Sequence, residues 1–179
     1  MRLPLYPCFI LLLLITSCNS ASKDNQLTDQ NHLQTTVQYF SNALKPDTFR
    51  IELQGSKPKE MALQFNITAE GGAPVYAVRI LASDLLDNYK ESVDLAREKK
   101  QKAFMEQELK LFFEEENFLE PAVTEDEQAD KNTPDKDFFE ELRKSGLNGF
   151  KYRLGKETKV YVAWSEKEKK VKPYYECCK

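Results

Sequence analysis

The feature that most constrains this chain is a two-residue alternation of apolar and polar side chains, found in one stretch before residue 70 and again after residue 149. Phe49, Ile51 and Leu53 alternate with Arg50, Glu52 and Gln54, and after the segment Gly55 to Lys59 the same period returns in Met61, Leu63, Phe65 and Ile67. Phe150, Tyr152 and Leu154 alternate up to Gly155-Lys156, and Val160, Val162 and Trp164 alternate beyond it. A period of two places successive side chains on opposite faces of an extended strand, so these segments predict half-buried antiparallel strands joined by short turns. Gly71-Gly72 supplies a turn into Pro74 to Leu81, whose nearly continuous apolar run predicts a better-covered third strand of a meander. Lys170 to Glu176 predicts an edge strand, because Pro173 cannot donate to a neighbour and the lysines discourage further pairing.

Other segments carry a helical period. Leu33, Val37, Phe40 and Leu44 stand at i, i+4, i+7 and i+11 and predict a short amphipathic helix that must end before Pro46. Ser83 is positioned to cap a long helix whose stripe runs through Leu85, Tyr89, Val93 and Ala96 to Met105, Leu109 and Phe112. That stripe lapses over Arg97 to Lys102, where a kink is expected. From Glu114 to Asp137 the chain turns acidic and aperiodic, and an exposed, mobile loop is predicted over about 114–135. A short helix follows, with Thr133 as cap, Pro134 in the first turn, Phe138, Phe139 and Leu142 on its apolar face, and Gly146 closing it. The expected fold class is α+β: a mostly antiparallel sheet of about five to six strands, covered on one face by a long helix and two shorter ones.

The N-terminus follows a different logic. Arg2 precedes an apolar stretch from about Leu3 to Ile15, and the uninterrupted run Phe9 to Ile15 is far short of the roughly 20 residues that span a bilayer. Residues 1–17 therefore read as an export signal. Ile15-Thr16-Ser17-Cys18 resembles the lipobox of bacterial lipoproteins, in which an aliphatic residue and two small ones precede a cysteine that is acylated and becomes the first residue of the mature chain. The resemblance implies lipidation of Cys18, attachment to a membrane and residence in the bacterial cell envelope. Each buried acyl methylene contributes about 0.8 kcal/mol, and two or three chains give the stable anchoring that one cannot. The alternative is ordinary signal-peptidase cleavage after Ser20 or Ala21, which discards Cys18 and releases a soluble secreted binding factor. Residues 18–32 are polar and lack apolar periodicity, and read as a flexible tether to a single domain over 33–179.

The cysteines form no framework. Cys8 lies in the export signal and Cys18 is acylated or discarded, which leaves the adjacent pair Cys177 and Cys178. These can form a strained vicinal disulfide, pair with other chains or stay reduced, and they lack the separate ligands of a closed metal site.

Signatures of catalysis and of cofactors are missing from the sequence. With one His, at position 32 near the tether, there is no second imidazole for a metal pair or a nucleophile relay. No Gly-rich phosphate loop or G-x-S-x-G elbow occurs, and no cofactor is implied. Asp130, Asn132 and Glu141 match positions 1, 3 and 12 of a calcium loop, but Pro134 and Asp135 stand at positions 5 and 6, where the turn needs glycine. The net charge of −3 and a single basic run, Arg97 to Lys102 interleaved with Glu98, argue against nucleic acid as a partner. Tyr152 and Trp164 fall on the core side of their strands, whereas Tyr161 falls on the other side as a surface aromatic. The expected role is therefore non-enzymatic binding or structural interaction, with the membrane and an envelope protein or peptide as partners. A groove bordered by the acidic loop would favour peptide or protein binding; a deep cleft gathering carboxylates of shifted pKa would favour the alternative of a carboxylate-dependent surface hydrolase.

Overall fold

The alternating segments form two four-stranded antiparallel meanders, one on each side of a helical middle, in a computed structural model that describes residues 32–177. The export signal, Cys18, the tether before His32 and Cys178 lie outside the described residues. The first sheet joins β1 (Leu33–Tyr39), β2 (Pro46–Gln54), β3 (Ala62–Thr68) and β4 (Pro74–Leu81) in sequence order. Two helices follow, α1 (Ala82–Tyr89) and α2 (Glu98–Leu111). The second sheet orders β5 (Phe118–Leu119), β6 (Gly149–Arg153), β7 (Lys159–Ser165) and β8 (Lys170–Cys177), with α3 (Lys136–Ser145) inserted between β5 and β6. The fold class is α+β, but the strands are divided between two sheets of four where one sheet of five to six was expected. Each half gains a strand that periodicity did not announce, β1 in the first and β5 in the second.

β1 replaces the expected N-terminal helix. It pairs along its whole length with β2, from Leu33 opposite Glu52 to Tyr39 opposite Pro46. Thr35, Thr36 and Val37 are consecutive β-branched residues, which lose rotamer freedom in a helix and fit a pleated ribbon. The apolar residues do not share a buried face: Phe40 is buried, while Val37, Tyr39 and Leu44 are exposed.

The inner faces of the two sheets meet in one core. Phe49 and Phe65 from the first sheet, Phe112 and Phe113 from the end of α2, and Phe118 and Phe150 from the second sheet form a cluster with ring centroids 5.0–6.3 Å apart. Such pairs contribute roughly 0.5–1.5 kcal/mol beyond the area they bury. Met105 and Leu109 on α2 complete this core, and the hydroxyls of Tyr76 and Tyr152 bond across it at 2.8 Å.

The expected long helix is two helices, and the break precedes the basic run that had been its expected place. Ser92 N and Val93 N both donate to Tyr89 O, Asp94 accepts from Ala96 N, and Leu95 turns into the core between them. Arg97 is the residue that caps α2, so the polar stretch that follows is its solvent-facing first turn. α1 begins directly after Leu81, and Ser83 lies inside it without capping.

α3 begins two residues later than Thr133 suggested. Asp135 is its cap and accepts from Phe138 N at 3.0 Å, while Thr133 Oγ1 accepts from Asp130 N. Lys172, 2.8 Å from Asp135, together with the Phe138 N–H, holds the Asp135 carboxyl below the usual carboxylate range. Gly146, at φ 63°, closes the helix in the left-handed region as expected.

Candidate functional site

The segment expected as an exposed acidic loop is in part a strap laid across the second sheet. Phe118 and Leu119 pair with Phe150 and Gly149, the Glu120–Pro121 peptide is cis, and Ala122 and Val123 are buried. Ala122 N donates to Leu147 O at 2.8 Å, and Gly149 leaves no room for a side chain: a Cβ there would sit 2.9 Å from that of Ala122. The exposed residues of the segment are Glu114 to Glu116, Glu120, Thr124 to Gln128, Asp130, Lys131 and Pro134.

Beside this strap lies a cavity of about 420 Å³. Pro121, Ala122 and Phe139 supply apolar surface, Thr124, Glu127, Gln128 and Asp130 one rim, and Tyr161, Tyr174 and Tyr175 the aromatic wall. Alternation along β7 accounts for Tyr161. Two adjacent tyrosines on β8 would ordinarily point to opposite faces, yet both line the cavity because the register shifts there: Tyr161 stands opposite Tyr175, and Val162 opposite Pro173. An extra residue of this kind re-aims a side chain, and Pro173 beside it has no N–H to lose from the ladder. Tyr161 meets Tyr174 and Tyr175 edge to face, at interplanar angles of 72° and 89°, so the three rings pack on one another as one cluster beside the cavity.

Hydrogen bonds fix the wall to the strap. Tyr174, almost fully buried, donates to Ala122 O at 2.7 Å. Burial first, then the nearby Glu127 carboxylate, holds its hydroxyl well above the ordinary phenol range. Tyr175 donates to Asp130 Oδ2 and accepts from Asn132 Nδ2, both at 3.2 Å. Glu127 Oε2 accepts from Thr124 N at 2.6 Å and from Thr124 Oγ1 at 3.0 Å, and Asp130 Oδ1 accepts from Asn132 N at 2.7 Å. Every one of these donors is neutral. Among the described residues neither Glu127 nor Asp130 is paired with a lysine or arginine.

A second cavity, of about 530 Å³, lies near the turns that follow β1, β3 and β7. Its charges answer one another: Lys45 meets Glu70, and Lys169 meets Glu166, each at 2.6 Å. The buried Asp47 is held by the N–H and hydroxyl of Ser41. A third feature is the pair Glu108–Arg153, 3.1 Å apart, which joins α2 to β6. Burial pushes the Glu108 carboxyl up against the opposing pull of Arg153, but the void beside it is about 10 Å³, too small for a substrate.

The residues singled out from the sequence are distributed as follows. Cys18 and Cys178 lie outside the described residues. Cys177 ends β8, its Sγ 3.8 Å from Glu157 O. His32 leads into β1, and its carbonyl accepts from Leu53 N. Asp130 and Asn132 contact each other, whereas Glu141, on α3, accepts from Ser165 Oγ and does not join them. Among the described residues no group of three or more His, Cys, Asp or Glu side chains is placed to hold a metal ion, and no helix is long and apolar enough to cross a membrane. Tyr152 is buried as expected, Trp164 is half-buried, and Tyr161 faces the cavity. Tyr174 and Tyr175 are the cavity residues that alternation did not single out. No family model matches the chain, and no curated protein or solved structure matches it.

Proposed function

We propose that this chain is an envelope lipoprotein, exported, acylated on Cys18 and held at a membrane, whose domain binds a polypeptide segment in the tyrosine-walled groove. The observation that carries the binding role is that groove: about 420 Å³ of space bounded by three tyrosines and by the acidic strap, the volume and mixed lining of a site for small groups or side chains. The anchor rests on Ile15-Thr16-Ser17-Cys18 and the apolar stretch before it. Lipidation suits a binding role, because confinement to a surface raises the effective concentration of a weak binder near partners held on the same surface.

Intact mass of the mature protein from its host tests the anchor. A chain beginning at Cys18 and carrying two or three acyl groups, lost from the membrane fraction in Cys18→Ala, supports the reading. An unmodified chain beginning after Ser20 or Ala21 overturns it in favour of a secreted binding factor. For the groove, Tyr161→Ala should abolish peptide binding, and full retention of binding in that variant would remove the groove from the account.

A further inference from the structure

We infer that the groove receives a lysine or arginine side chain from an extended peptide segment, seated against Tyr161, Tyr174 and Tyr175 with its charge toward Glu127 and Asp130. This rests on the groove being a peptide site, and names what selects the peptide. Three independent features of the geometry converge on it.

The first is the wall. Tyrosine rings carry negative electrostatic potential on their faces, which attracts ammonium and guanidinium groups and also packs well against the methylene stems that carry them. Tyr161 and Tyr175, both partly exposed, present ring surface to such a group, and the buried Tyr174 backs them.

The second is unanswered charge. Glu127 and Asp130 are oriented by Thr124, Asn132 and Tyr175, all neutral, so each carboxylate is fixed in place while its charge is left uncompensated within the protein. A carboxylate oriented in advance loses little freedom when a cation arrives. The second cavity is the comparison inside the same molecule: its exposed lysines and glutamates are paired with each other, and its remaining carboxylate, Asp47, is buried against Ser41 and not presented at a rim.

The third is size. A space of about 420 Å³ with apolar surface from Pro121, Ala122 and Phe139 holds one or two long side chains and no folded element. An anionic ligand would meet two carboxylates at the rim, and a purely apolar one would bury them without a partner.

The test uses the full chain purified from its host in detergent, with hexapeptides of sequence Ser-Gly-Xaa-Xaa-Gly-Ser carrying an uncharged fluorophore, read by fluorescence anisotropy. Xaa is lysine, arginine, norleucine, citrulline or glutamate. Lysine and arginine peptides should bind about tenfold or more tighter than the neutral norleucine and citrulline peptides, and the margin should shrink as salt rises. The isosteric double variant Glu127→Gln with Asp130→Asn, which keeps acceptors for Thr124 and Asn132, should reduce that margin to about twofold or less. If norleucine or citrulline peptides bind as tightly as lysine and arginine peptides and Tyr161→Ala removes all of them, the groove is a peptide site that ignores charge, and this inference fails alone. If no peptide binds, or Tyr161→Ala changes nothing, both the inference and the peptide-site reading fail. Should Tyr161→Ala not fold, the isosteric double variant still decides the charge question.

Discussion

The two sheets share a topology and differ in what covers them. In the first, Phe49, Ile51 and Leu53 of β2 are buried while the alternating Thr48 and Arg50 are exposed, the pattern of a sheet with one dry face and one wet face. In the second, β7 is covered on both sides: Val160 and Val162 join the core between the sheets, Ala163 packs with α3 and the strap, and Ser165 is buried against Glu141 of α3. Two-sided covering needs a second apolar layer, supplied by Phe138, Phe139 and Leu142 on α3 and by Ala122 and Val123 on the strap. That layer is too small to cover the whole face. The groove lies where it stops, with Tyr161 left between the strap and β8. Among the described residues the open sheet has no covering layer to end.

The comparison implies that the core between the sheets holds both halves, and that α3 and the strap matter chiefly to the second. Phe65 is fully buried and touches Phe49, Phe112 and Phe150. Phe65→Ala should cost about 3–5 kcal/mol and lower the unfolding midpoint reported by probes in either sheet together. Separate transitions for the two sheets would break the picture of one shared core.

Next in size is the ion pair that ties α2 to the second sheet. Arg153→Met leaves the Glu108 carboxylate buried and unopposed, with an expected loss of about 3 kcal/mol at neutral pH. The sign with pH follows from a carboxyl whose folded-state pKa is raised. Its contribution to stability is fully present below the ordinary glutamate value of 4.5 and is lost as pH rises through the folded value, and removal of Arg153 strengthens that trend. The deficit of the variant should therefore be smallest in acid and grow toward pH 7. Denaturant titrations of both proteins at several pH values measure it, and a deficit that shrank toward neutral pH would contradict the burial assigned to Glu108.

How much of this was legible depends on which spacings two periods share. β2, β3, β6 and β7 were plain because alternation over five or more residues fits no helix, and Gly146 marked the end of α3 because it alone accommodates the left-handed backbone there without strain. β1 was misread because an i, i+4 pair such as Leu33 and Val37 shares a face in a helix and in a strand alike. Only the odd offsets of seven to Phe40 and eleven to Leu44 distinguished the two, and both residues lie past the strand, while Thr35 and Thr36 held the deciding propensity. The helix break was placed too late because a lapse in the apolar stripe marks an exposed turn as readily as an end, whereas Ser92 and Asp94 carried the turn chemistry. In the groove, Tyr161 was accessible to alternation. Tyr174 and Tyr175 were not, since the extra residue beside Pro173 cancels the parity on which that reasoning depends. Ala122 and Val123, two apolar residues in an acidic stretch, were the available sign that the loop is held down.

The strap gives the third prediction. Gly149→Ala places a methyl group 2.9 Å from Ala122 Cβ and 3.1 Å from both Ala122 Cα and the Tyr174 hydroxyl, so backbone must move. Overpacking of this kind costs about 1–3 kcal/mol. Its effect should be local: faster amide exchange at Ala122 and weaker peptide binding, with exchange in β2 and β3 unchanged. Uniform acceleration across both sheets would show that the strap is part of the common core and not a separate cover.

The smallest effect belongs to the open face, and it tests the comparison from the other side. Val37 is 56% exposed and stands opposite Thr48 on the wet face of the first sheet. Val37→Thr keeps the β-branched shape, places a hydroxyl where water can reach it, and should change stability by less than about 0.5 kcal/mol. The same substitution on a covered face would strand the hydroxyl away from solvent at a cost of about 1–3 kcal/mol. A loss in that larger range would mean that something covers β1 in solution, and the contrast between one open sheet and one closed sheet would not hold.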